Sequence, residues 1–96
     1  MPQGASWVRI EGSGLAYQGR CLLYGILFWP DSDADHVDVY DGLDATSGKK
    51  FVRLETSTSI TWCHCFSRPV EFSSGIYVKD IDEGTETTVL FEPLEL

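Results

Sequence analysis

Two short stretches of this 96-residue chain hold side chains able to do chemistry. The first is TWCHCF, residues 61–66, where Cys63 and Cys65 flank His64, with a third cysteine at Cys21. Thiolate and imidazole are ordinary zinc ligands and the ordinary nucleophile and base of thiol catalysis. If the stretch is a strand, alternation sends Cys63 and Cys65 to one face and Trp62, His64 and Phe66 to the other, so thiols and imidazole do not share an ion. Side chains two residues apart on a strand stand about 6.6 Å from one another, whereas bonded Cβ atoms need about 3.5–4.5 Å, which disfavours a disulfide between the two. The C-x(2–4)-C spacing of a zinc site is absent, and three is an odd count for a disulfide framework. The thiols are therefore expected to be reduced, metal-free and packed as small buried hydrophobes.

The second stretch is DSDADHVDVYD, with Asp31, Asp33, Asp35, Asp38 and Asp41 close together. Its D-x-D-x-D opening is that of an EF-hand loop, whose oxygen ligands take calcium. The pattern then fails, because His36 stands where the sharp turn needs glycine and Gly42 where a bidentate glutamate is needed. Asp31, Asp33 and Asp35 are left as a weak calcium loop, against the alternative of a solvated acidic loop that keeps a sheet edge from pairing with strangers. The only histidines, His36 and His64, lie in no Ser-His-Asp or Cys-His setting, and no phosphate loop, H-E-x-x-H or G-x-S-x-G is present. The expectation is a non-enzymatic protein with no cofactor.

The elements that must position these residues are short and extended. Ser6 to Glu11 alternates, with Val8 and Ile10 on one side and Trp7, Arg9 and Glu11 on the other. Arg20 to Trp29 is densely apolar, as in a central strand buried on both faces, and Pro30 stops it. His36 to Tyr40 sets Val37 and Val39 opposite His36, Asp38 and Tyr40, before turn chemistry in DGLDATSGKK. Phe51 to Leu54 and Ser59 to Phe66 keep the same period until Arg68-Pro69 breaks it. Val70 to Phe72, Ile76 to Ile81 and TETTVLFEP complete the series. No segment shows helical spacing of apolar residues.

These runs predict an all-β, single-domain antiparallel β-sandwich over residues 1–96, jelly-roll-like, with about eight short strands and short arms at 1–6 and 94–96. The expected core is Val8, Ile10, Leu22, Tyr24, Ile26, Phe28, Val37, Val39, Val52, Leu54, Val78, Val89 and Phe91. Trp7, Arg9, Tyr40 and Tyr77, on the outward sides of their strands, are the candidate partner contacts. A net charge of −8 argues against nucleic acid, whose phosphates are held by clustered Lys and Arg. The apolar run Leu22 to Trp29 is too short to span a bilayer, and MPQGASWVRI has no charged n-region or apolar h-region, so a soluble, unprocessed chain made in the cytoplasm is expected, with no membrane partner.

The segments HVDVYDGLDATSGKKFVRL and RPVEFSSGIYVKDIDEGTETTVLFEP add a resemblance. Their V-x-V-Y-D-G strand and turn, G-K hairpin and P-V-x-F-x-x-G-I-Y-V segment resemble those of small all-β virion structural proteins of phages and prophages. The resemblance covers about residues 20–93 and includes neither the cysteine stretch nor Asp31, Asp33 and Asp35. It implies a capsid decoration or cement protein, or a head- or tail-associated one. Such a protein is a homo-oligomer, with a trimer favoured, that binds the major capsid protein or another virion protein on the outer surface of the particle. The alternative from the residues themselves is a carbohydrate- or cell-surface-binding sandwich, in which an exposed Trp or Tyr and a calcium-holding Asp loop do the binding.

Overall fold

The computed structural model describes residues 6–29, 36–55, 62–81 and 86–94. Among them the chain forms eight strands and no helix: β1 Ser6–Glu11, β2 Gly14–Gln18, β3 Cys21–Trp29, β4 His36–Asp41, β5 Lys49–Glu55, β6 Trp62–Phe72, β7 Gly75–Asp80 and β8 Glu86–Pro93. All ladders are antiparallel, in two four-stranded sheets ordered β1-β8-β3-β6 and β2-β7-β4-β5. The expected all-β architecture of about eight short strands in two sheets is what the chain adopts.

Alternation builds one core between the sheets. Ile10, Leu23, Ile26, Phe28, Val89 and Phe91 come from the first sheet, and Ala16, Val37, Val39, Leu54, Ile76 and Val78 from the second. Full burial of one such larger side chain is worth about 1.5–3 kcal/mol. Most of the expected core is here, with Val8 and Val52 half-buried against it. Leu22 and Tyr24 are not, and their places are taken by Cys21 and Leu23, both 0% exposed.

A register shift explains that correction. On the β8 side Leu23 pairs with Phe91 and Gly25 with Leu90, leaving Tyr24 as an extra residue. On the β6 side Leu23 pairs with Val70 and Gly25 with Cys65, so residues 66–69 loop out opposite Tyr24. A bulge reverses which parity faces inward. Odd residues point inward before it and even ones, Ile26 and Phe28, after it. Pro69 falls in the looped-out stretch of an edge strand, where its missing N–H interrupts no ladder. The expected break at Arg68-Pro69 is therefore a local excursion, and the two expected strands around it are one, β6. The strand count is kept by β2, a segment given no element in the sequence analysis.

One corner is held by a carboxylate. Asp41, at the end of β4, accepts hydrogen bonds from the backbone N–H of Ser73 (3.0 Å) and Ser74 (2.9 Å) in the β6–β7 turn. Gly42 N–H donates to the Gly75 carbonyl at 3.1 Å, and Gly19 N–H to the Ser74 carbonyl at 2.8 Å. Gly75 sits at φ +153°, where a Cβ would run into the Tyr17 carbonyl oxygen, so no other residue fits without displacing β2. The V-x-V-Y-D-G and P-V-x-F-x-x-G-I-Y-V segments meet at this latch. In the turn after β4, Asp44 Oδ1 accepts from the N–H of Thr46 and Ser47 and from the Ser47 hydroxyl, and these hold its carboxyl below the usual range.

Candidate functional site

The registers define the solvent side of the β1-β8-β3-β6 sheet row by row. Trp7, Leu90, Gly25 and Cys65 are cross-strand neighbours, then Arg9, Thr88, Leu27 and Cys63, then Glu11, Glu86 and Trp29. Trp7 is 66% exposed, Leu27, Trp29 and Leu90 are half-buried, and both cysteines are exposed. An apolar strip thus crosses the sheet, with the Cys65 sulfur beside the position a side chain at Gly25 would take. Polar pairs border the strip. Arg9 forms an ion pair with Glu86 and lies over the Trp29 ring, 5.9 Å from its centroid. Arg20 Nε donates to Glu71 at 2.7 Å, and Tyr24 OH to Glu92 at 2.7 Å. An apolar strip with an accessible tryptophan at its end, bordered by charge pairs, has the composition of a docking face.

Of the expected contacts, Trp7 and Arg9 share this face. Tyr40 and Tyr77 belong to the outer face of the other sheet, with ring centroids 6.4 Å apart. Tyr40 is only 9% exposed, with the Lys50 ammonium 5.8 Å from its ring centre, so its ring offers little surface to a partner. The four residues therefore do not form one patch.

Beside Tyr40 lies Asp38, a site that sequence reasoning missed, because Asp38 reads as one more acid in an acidic run. It is 1% exposed and accepts from Arg53 Nε (2.7 Å) and Nη2 (3.1 Å), with Lys50 Nζ at 3.1 Å. Burial pushes its carboxyl up, but the Arg53 and Lys50 contacts outweigh that and hold it below the usual range. The arrangement pins β5 to β4 and uses both carboxylate oxygens within the fold. A cleft of about 220 Å³ opens between edge strands β5 and β6, lined by Lys49, Lys50, Phe51 and Glu71 among others. Its lining of two lysines, two carboxylates and apolar side chains can hold a ligand by charge and apolar contact.

Asp31, Asp33 and Asp35 lie outside the described residues. Among the described residues no group of three or more His, Cys, Asp or Glu side chains is placed to hold a metal. His64 packs edge-on against Phe66, ring centroids 5.1 Å apart, on the side of β6 away from the thiols, as alternation requires. Only Cys21 meets the expectation of a buried thiol, and burial together with the Asp41 charge pushes it up to about 11. Cys63 and Cys65 are both exposed, because β6 is an edge strand and they face outward. Their sulfurs lie 3.4 Å apart, well inside the separation expected of parallel side chains, because they lean toward one another.

Comparison with protein-family models, with curated proteins and with solved structures finds no match.

Proposed function

We propose that this chain is a non-enzymatic virion structural protein of the phage type, a capsid decoration or cement protein that binds the major capsid protein through the outer face of the β1-β8-β3-β6 sheet. The observation that carries the reading is the apolar strip that starts at Trp7 on the edge strand β1, 66% exposed in a protein of net charge −8. Exposed apolar surface rimmed by ion pairs costs solubility and is kept where a partner covers it. Support comes also from the resemblance of residues 36–54 and 68–93 to phage virion proteins. The acidic surface suits the outside of a shell better than the side facing packaged DNA.

The strand order supports the finer architectural reading, a jelly roll. Four of the ladders join β1 to β8, β2 to β7, β3 to β6 and β4 to β5, as in one long hairpin rolled into two sheets. In this reading the domain contributes binding energy rather than chemistry and works as a homo-oligomer, a trimer at a local three-fold position.

The test is particle association. The protein should copurify with particles at many copies per shell, and Trp7→Ala should reduce occupancy while leaving the circular dichroism unchanged. A purified monomer absent from particles refutes the assignment. If that monomer instead binds in a glycan array and loses binding with Trp7→Ala, the exposed indole is a sugar-stacking platform and the alternative reading takes its place.

A further inference from the structure

We propose that Cys63 and Cys65 form a bidentate dithiolate site for a thiophilic d10 divalent cation of the Zn²⁺ or Cd²⁺ class, on the outer face of β6. Both thiols are exposed and their sulfurs are 3.4 Å apart. With metal–sulfur bonds of about 2.3 Å, sulfurs at that separation subtend roughly 95° at an ion. Tetrahedral coordination asks for about 109°, or sulfurs about 3.8 Å apart, a change that small side-chain rotations supply. A linear two-coordinate ion would need about 4.6 Å at the same bond length, which fits less well.

The competing chemistry for such a pair, a disulfide, meets a backbone obstacle. Cβ atoms two residues apart on a strand are separated by about 6.6 Å, and the bonded state needs about 3.5–4.5 Å, so the strand would have to shorten by about 2 Å or more. Pairing of Cys63 with Leu27, His64 with Ile26 and Cys65 with Gly25 opposes that contraction. An ion lengthens the bridge between the sulfurs and removes the need for it.

Gly25 is the second element of the site. A Cβ at this position would sit 3.1 Å from the Cys65 sulfur and 3.2 Å from its Cα, so the glycine gives the thiol the room it uses. His64 faces the other way, and two of the four coordination positions are left to water or to an incoming ligand, one more than in open zinc sites with three protein ligands. Binding is a balanced exchange, one M²⁺ and two thiols giving the dithiolate complex and two protons released to solvent. Apparent affinity should therefore rise about 100-fold per pH unit while both thiols are protonated.

The experiment is a Cd²⁺ titration of the full chain, kept reduced with a phosphine, followed by the thiolate-to-cadmium charge-transfer band. Wild type should bind one ion per chain, with two protons released. Cys63→Ser and Cys65→Ser should each weaken binding by about 100-fold or more and halve the band. Gly25→Ala should weaken it through crowding of the Cys65 sulfur, and Cys21→Ala should leave it unchanged. Circular dichroism of each variant separates lost binding from lost fold, since Cys63 and Cys65 are exposed and their serine variants should fold. Absence of the band in wild type, its persistence in the Cys63→Ser/Cys65→Ser double variant, or ready closure of a Cys63–Cys65 disulfide by peroxide with the fold unchanged overturns the proposal.

Discussion

Leu22 and Leu23 are chemically identical neighbours, and the bulge at Tyr24 decides which one holds the fold together. Leu23 is fully buried between the sheets, while Leu22 is half-buried on the outer face opposite Glu71 and Glu92. Leu23→Ala removes three carbons from the core, a transfer loss of about 2.4 kcal/mol at about 0.8 kcal/mol per methylene. The two sheets close only partly over the gap, and a residual cavity of some 40 Å³ adds about 1 kcal/mol at about 24 cal/mol per Å³. The expected cost is therefore about 3–4 kcal/mol. For a domain of this size that lowers the melting temperature by about 12–30 °C, at about 4–8 °C per kcal/mol. Leu22→Ala uncovers surface that is already partly wet and should cost under about 1 kcal/mol. Urea unfolding followed by tryptophan fluorescence reads both variants on one scale. Equal losses at the two positions, or a larger loss at Leu22, would refute the bulge and with it the assignment of the outer face on which the proposed function stands.

Three further outcomes follow from the same packing. Thr87 is fully buried with its Oγ1 lacking any hydrogen-bond partner, so Thr87→Val should raise stability by about 1 kcal/mol, measured by the urea midpoint. Asp38 is held below the usual carboxylate range, so its contribution is present above the unfolded value of about 4 and is lost as pH falls through the lower folded value. Asp38→Asn should accordingly be less stable than wild type at pH 7, with the gap closing on acidification below about pH 4, in urea midpoints taken across that range. Gly75→Ala should cost about 2 kcal/mol or more because its Cβ meets the Tyr17 carbonyl, while Gly12→Ala, at φ +81° with nothing within 4 Å, should cost about 1 kcal/mol, both by thermal melt.

How far the fold was legible depends on where each signal came from. Ser6 to Glu11 and His36 to Tyr40 alternate locally, and their faces came out as read, Trp7 and Arg9 outward, Val37 and Val39 inward. The inversion within β3 is not local, since it arises where residues 66–69 loop out opposite Tyr24, a match between strands forty residues apart in the chain. Pro69 looked like a terminator because nothing nearby shows that β6 lies at an edge. The short run GLAYQ carries no strand signal of its own, since it is only five residues long and glycines bracket it. The candidate face was half legible. Trp7 beside Arg9 and Glu11 reads as outward from alternation alone, but the dense apolar run 20–29 reads as buried on both sides, which hides the outward half-exposure of Leu27 and Trp29. Alternation separated the thiols from His64 correctly, yet it cannot say which side of a strand meets water.

The pairing of β1 with β8 has a practical consequence for anyone attaching cargo to this protein. Ser6 stands opposite Phe91, and Leu94 N–H is fixed to the Arg20 carbonyl at 2.9 Å, so the two ends of the described fold leave from one corner, next to Trp7. A fluorescent protein, affinity tag or displayed peptide joined directly to Ser6 or to Leu94 would emerge beside the indole and shade the strip that starts there, and moving the fusion from one of these ends to the other would not relieve it. The turn around Leu43, 44% exposed and built on the other sheet, is the better insertion point, because it keeps cargo off the face bearing Trp7.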